Sequence, residues 1–156
     1  MKIAIIWPAN PNAGPDMHPD EANVELHIAL LKTQKAIYWD SGAIRNEIGE
    51  PIDGFIYIAG EGLVKYRCKV EHVIKRETLL EMPDELKYVP PFRNQCLRGR
   101  WPDGRKHGVS PTWIKISGIY RLRKPLTLRE LINRNERRVK RVMGGFVYIE
   151  NPFLIS

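Results

Sequence analysis

The sequence predicts an α+β domain, a mixed β-barrel of about six strands with flanking helices. Three observations lead there. Short apolar or alternating runs recur along the 156 residues, at 2–7, 36–38, 54–59, 63–75, 112–123 and 146–149. Glycine and proline punctuate the intervals between them. Only one long stretch, from Asp20 to about Thr33, carries a helical spacing of apolar residues.

Taken in order, Lys2–Trp7 reads as a strand buried on both faces. Three prolines and a glycine in the segment 8–15 end it and exclude regular structure there. Such a rigid loop can hold Asn10 and Asn12 in fixed directions, and an asparagine can both donate to and accept from a base edge. Asp20 can cap the helix, whose apolar face is Val24, Ile28 and Leu31; His27 is expected on its surface. Ala36–Tyr38 is the second strand. It delivers Trp39 to a strand exit, followed by the polar Asp40 and Ser41.

A loop precedes the third strand, and a hairpin turn at Gly60–Gly62 precedes the fourth. In the fourth, Val64, Tyr66, Cys68, Val70 and His72 alternate with Lys65, Arg67, Lys69 and Glu71, which predicts one buried and one solvated face. From Arg76 to Pro111 the periodicity disappears. This long connection interleaves Tyr88, Phe92 and Trp101 with arginines, as a loop that stacks bases and grips phosphates would. The fifth strand is expected to bulge at Gly118 and to stop at Lys124-Pro125. Thr127 and Glu130 form a capping box for a short helix, and Gly144-Gly145 turns the chain into a last strand.

The formal net charge is +7, and the excess is concentrated between Arg93 and Arg141. A one-sided cationic surface points to a polyanion partner through counterion release. The expected phosphate contacts are Arg93, Arg98, Arg100, Arg105, Lys106, Arg137, Arg138 and Lys140. No phosphate-cradling, dinucleotide-binding or zinc-protease motif is present, nor a nucleophile elbow. The expectation is therefore a binding module, not an enzyme, with no cofactor and no metal. Cys68, His72, Cys96 and His107 could in principle share a zinc ion, but their spacing is not that of a finger. Two cysteines make no disulfide framework, and no run is long enough to span a bilayer. One domain over 1–156, cytoplasmic and without a membrane partner, is the reading.

A pocket for a base turned out of its strand needs aromatic walls, polar atoms for the base edge and cations for the backbone. Trp39 is the expected first wall and Trp101 the second, with Tyr88 or Phe92 as substitutes and Trp7 a weaker candidate. Asn10, Asn12, Asp40 and Ser41 are the expected polar readers.

The order of elements resembles the PUA-like superfamily, and within it the EVE and YTH domains. The segments that carry the resemblance are Ala36–Trp39, Phe55–Ile58 with Tyr66–Glu71, Trp113–Ile116 through Leu131, and Gly144–Ile149. It implies a reader of modified bases, with Trp39 as a cage wall, Asp40 or Ser41 as the polar residue after it, and Asn10 or Asn12 as the one after the first strand. DNA is expected in preference to RNA, because the strongly basic stretch fits a duplex better than a short single strand. Such domains occur beside the GTPase and nuclease subunits of McrB-type modification-dependent restriction systems. Two rival expectations are an RNA-binding module of the same fold and a small ASCH-type hydrolase, for which a Lys, a Glu and a Tyr, for example Lys65, Glu71 and Tyr66, would have to converge.

Overall fold

Apolar alternation places the strands, and the pairing between them fixes their limits. The computed structural model describes residues 3–9, 20–58, 61–127, 130 and 147–150. Strands β1 (Ile3–Ala9), β2 (Ile37–Ser41), β3 (Ile52–Ile58), β4 (Leu63–Lys75), β5 (Thr112–Thr127) and β6 (Val147–Glu150) form one sheet in the order β2-β5-β4-β3-β1-β6. Only β1 and β3 run parallel; the other neighbours are antiparallel. The class is α+β, as expected. The expected barrel closure is corrected: β2 and β6 stand at opposite margins, so among the described residues the sheet is open.

Helix α1 (Asp20–Leu31) covers one face of the sheet. Val24 is fully buried there with Ile5, Trp7, Ile37, Trp39, Ile56, Cys68, Val70 and Ile114, and Ile28 and Leu31 pack against them. Cys68, the strand cysteine weighed as a zinc ligand, is thus a core residue. Its thiol is pushed well up by burial and by the charge of Asp53.

The opposite face carries two separate apolar clusters. Ala4, Ile6, Phe55, Val64 and Ile149 form one, covered by Leu122 and Leu126. Tyr38, Ile74, Leu79, Val89, Leu97 and Trp113 form the other. The connection expected to lack structure builds the cover of this second cluster. It holds α2 (Arg76–Leu80), two 3-10 turns at Leu86–Tyr88 and Pro91–Arg93, and α3 (Asn94–Arg98). Elements of three to five residues are too short to show a period in sequence.

Two strand expectations change for local reasons. The alternation of β4 holds from Tyr66 to Val70, but the pairing with β5 slips on both sides of that run, so Val64 and His72 lie on the other face and Val73 joins the cluster on the α1 side. β5 continues through Pro125 to Thr127. β2 pairs only with Thr112–Ile116, so the later part of β5 has β4 on one side, and a proline lacking N–H is tolerated there. The expected bulge is present: Lys69 pairs with Gly118 and Val70 with Ile116. The capping expectation also holds at its described end, where Glu130 N–H donates to Thr127 Oγ1 at 3.1 Å.

Gly54 is required by a close approach. A Cβ there would lie 2.5 and 2.7 Å from carbons of the Trp7 ring and 2.9 Å from Val70. Gly54→Ala is expected to destabilise the fold by about 1–3 kcal/mol through overpacking. Urea denaturation measures it, and an unchanged midpoint would show that the indole can give way.

Candidate functional site

The strand exit at Trp39 was the expected base pocket, and it is closed. Trp39 is 3% exposed. Its ring stacks on His27 with centroids 4.1 Å apart and 22° between planes, and meets Trp7 edge-on at 6.1 Å. The Arg93 guanidinium lies 4.3 Å from the Trp39 centroid. β2 is the marginal strand, and the turn Pro91–Arg93 ahead of α3 brings Arg93 to it.

Hydrogen bonds fix the protonation pattern of this cluster. Arg93 Nε–H donates to His27 Nε2 at 2.8 Å. Guanidinium nitrogens only donate, so Nε2 must accept, and the ring proton sits on Nδ1, donated to the Asn23 carbonyl at 2.6 Å. Arg93 Nη1 donates to Asp40 Oδ1 at 2.5 Å, and Ser110 Oγ donates to Asp40 Oδ2 at 2.5 Å. The two side chains of the ion pair are 7% and 11% exposed. Burial by itself would raise the Asp40 carboxyl; the Arg93 charge and the bonds from Ser110, Arg93 and Cys96 outweigh it and hold the group below its ordinary value. The neighbouring Cys96 thiol is pushed up to about 12, by burial first and by the Asp40 charge second. Buried, neutral overall and hydrogen-bonded, the cluster ties α1, β2 and the α3 turn together.

Several expectations are corrected here. Arg93 is 6% exposed and ion-paired, so it is not placed to hold a phosphate. His27 is fully buried, not on the surface. Ser41 is 4% exposed and accepts a bond from Ala43 N–H at 3.1 Å, which is a turn, not a reading position. Phe92 does join the cluster, edge-on to His27 at 5.1 Å. Trp7 is 1% exposed in the core, and Tyr88 packs in the cluster around Trp113 on the opposite face. Asn10, Asn12, Arg137, Arg138 and Lys140 lie outside the described residues.

On that opposite face Tyr38, His72, Lys115 and Glu85 share a polar group. Tyr38 Oη donates to Glu85 Oε1 at 2.8 Å, and Lys115 Nζ donates to the same oxygen at 2.6 Å. His72 Nε2 lies 2.8 Å from Tyr38 Oη. The hydrolase expectation asks for a converging Lys, Glu and Tyr; Lys115, Glu85 and Tyr38 meet in this group, whereas the example set Lys65, Tyr66 and Glu71 does not come together. Tyr66 Oη reaches Glu25 at 2.9 Å and Glu21 at 3.1 Å, and Lys65 pairs with Glu21 and Glu61. Glu71 instead accepts from Ser117. The residues of the zinc option are apart, Cys68 in the core, His72 on Tyr38, Cys96 by Asp40 and His107 against Trp101, and no group of three or more metal-ligating side chains occurs among the described residues.

Trp101 does not join Trp39. It sits in a small hairpin that follows the left-handed cap of α3 at Gly99. Arg100 pairs with Lys106 across it, Trp101 N–H donates to the Arg105 carbonyl at 2.9 Å, and His107 N–H donates to the Gly99 carbonyl at 2.9 Å. Gly104, with φ of +88°, makes the turn, and Asp103 accepts from Arg105 N–H at 3.0 Å. The Trp101 ring meets His107 edge-on at 4.8 Å, and the Arg105 guanidinium lies 5.9 Å from its centroid. Arg98, Arg100, Arg105 and Lys106 are all exposed. Arg105 pairs with Asp103 at 2.6 Å; among the described residues no carboxylate pairs with the other three.

His27 is the residue that sequence reasoning missed in the Trp39 cluster. Its only signal is position: four residues after Asn23 and three after Val24, it falls on the buried side of α1. No helix among the described residues is long and apolar enough to cross a membrane. Comparison with known proteins finds no family model, no curated protein and no solved structure that matches this chain.

Proposed function

We propose that this protein is a nucleic-acid-binding module whose contact surface is the hairpin 99–107. The observation that carries the reading is the set of exposed cations Arg98, Arg100 and Lys106, which pair with no carboxylate among the described residues, flanking Trp101 on a cross-braced turn. Like charges this close repel, and a carboxylate nearby would relieve them; a run of phosphates serves the same purpose. Replacing Arg98, Arg100 and Lys106 by alanine is expected to reduce the salt slope of binding by about 2–3, at somewhat under one per lost phosphate contact. A slope equal to that of the parent would remove the hairpin from the interface.

A finer reading is a PUA-like module that takes a modified base of DNA against Trp39, as the targeting part of a system with GTPase and nuclease subunits. One observation favours it. The Trp39 face and Asp40 together hold a flat, N–H-rich group, which here is the Arg93 guanidinium. A base would need that guanidinium to move. Binding of one duplex, plain and carrying N6-methyladenine or 5-methylcytosine, tests it at fixed salt. Equal affinities would leave a module that holds nucleic acid by charge.

A further inference from the structure

We propose that Trp101 is a stacking platform for an unpaired nucleotide, so that the hairpin takes single-stranded nucleic acid in preference to duplex. This rests on the nucleic-acid reading above and adds the class of strand and the residue that selects it. Four tryptophans occur in the chain. Trp7, Trp39 and Trp113 are 1%, 3% and 0% exposed, whereas Trp101 is only half-buried, at the start of a surface turn. An indole left at the surface loses the burial the other three gain. Its position is nevertheless fixed. The bonds Trp101 N–H to Arg105 O and Gly104 N–H to Trp101 O, both 2.9 Å, hold its backbone at two points.

The chemistry around the ring selects the ligand. Stacking on an indole requires the flat face of a base, and a duplex presents only base edges in its grooves. Cations stand on both sides of Trp101 in the chain, Arg98 and Arg100 before it and Lys106 after it, where the phosphates flanking a stacked nucleotide could be met. Asp103, the acidic residue of the turn, would repel a phosphate if left alone, but its charge is already engaged by Arg105 at 2.6 Å.

The test uses the full chain and a short labelled oligonucleotide, as a single strand and as the matching duplex, at one salt concentration. The single strand is expected to bind more tightly. Trp101→Ala is expected to weaken single-strand binding about 5- to 150-fold and to change duplex binding little, with Trp101→Phe close to the parent. Trp101→Leu keeps the apolar bulk without the ring, and it separates stacking from support of the turn. Leu binding as well as Phe overturns the proposal. So does inorganic polyphosphate, which has no bases, if it competes as well as an unlabelled single strand. If Trp101→Ala binds like the parent while the alanine variants of Arg100 and Lys106 bind weakly, stacking falls and the nucleic-acid reading stands. A parent that binds neither strand sinks both.

Discussion

Arg93→Met is expected to lower the stability of the fold by about 3–5 kcal/mol. The change removes the partner of a carboxylate whose side chain is 11% exposed, and leaves that charge with Ser110 and Cys96 alone. It also removes the donor to His27 Nε2 and the cation over Trp39. The pH dependence has a definite sign. The folded state holds the Asp40 carboxyl below its ordinary value of 3.8, so its contribution to stability is present above that value and is lost as the pH falls through the folded-state value. In the variant, burial acts without the guanidinium, and Asp40 shifts upward. The gap between parent and variant is therefore widest near neutrality and narrows in acid. Urea denaturation across that range measures it. A loss under about 1 kcal/mol at neutral pH would class the pair with exposed ion pairs. Asp40→Asn in the Arg93→Met background is expected to recover part of the loss, because no unpaired charge then remains buried.

Trp39→Ala is expected to cost about 3–5 kcal/mol, the range for deleting a buried aromatic ring. The indole touches the two buried rings of Trp7 and His27 and supports Arg93, so its removal opens a void between α1 and β2. This outcome separates two roles for one residue. A wall of an open cage could be removed with little loss of stability and a selective loss of ligand. A packed core ring cannot. A melting temperature equal to that of the parent, together with lost discrimination of a modified base, would restore the cage.

Much of the fold was legible in the sequence because its signals are local. Alternation through Tyr66, Cys68 and Val70 marks a half-buried strand whatever its neighbours do. The apolar spacing of Val24, Ile28 and Leu31 likewise marks the inner side of α1. What was not legible depends on partners far away in the chain. Arg93 looks like any other member of a basic run until Asp40, fifty-three positions earlier, neutralises it. His27 looks like a surface residue until Trp39 stacks on it. The passage of β5 through Pro125 follows from β2 being only five residues long, which no reading of β5 alone can show. The hairpin around Trp101 was legible as composition, aromatic among cations, but not as a place separate from Trp39.

The position of β1 in the sheet has a kinetic consequence. β1 lies between β3, parallel to it, and β6, whose residues 147–150 pair with residues 3–6. Pairing with β3 joins residues such as Ile5 and Gly54, about a third of the chain apart, and pairing with β6 joins Ile3 to Glu150, nearly the whole chain apart, so neither neighbour is reached by a short hairpin. Chain closure on that scale carries a large entropic toll before any pairing compensates it. Refolding should accordingly be slow for a protein of this size, in the millisecond-to-second class of non-local sheets. The β3–β4 hairpin, closed by the short turn between Ile58 and Leu63, would form well before the outer margin is complete.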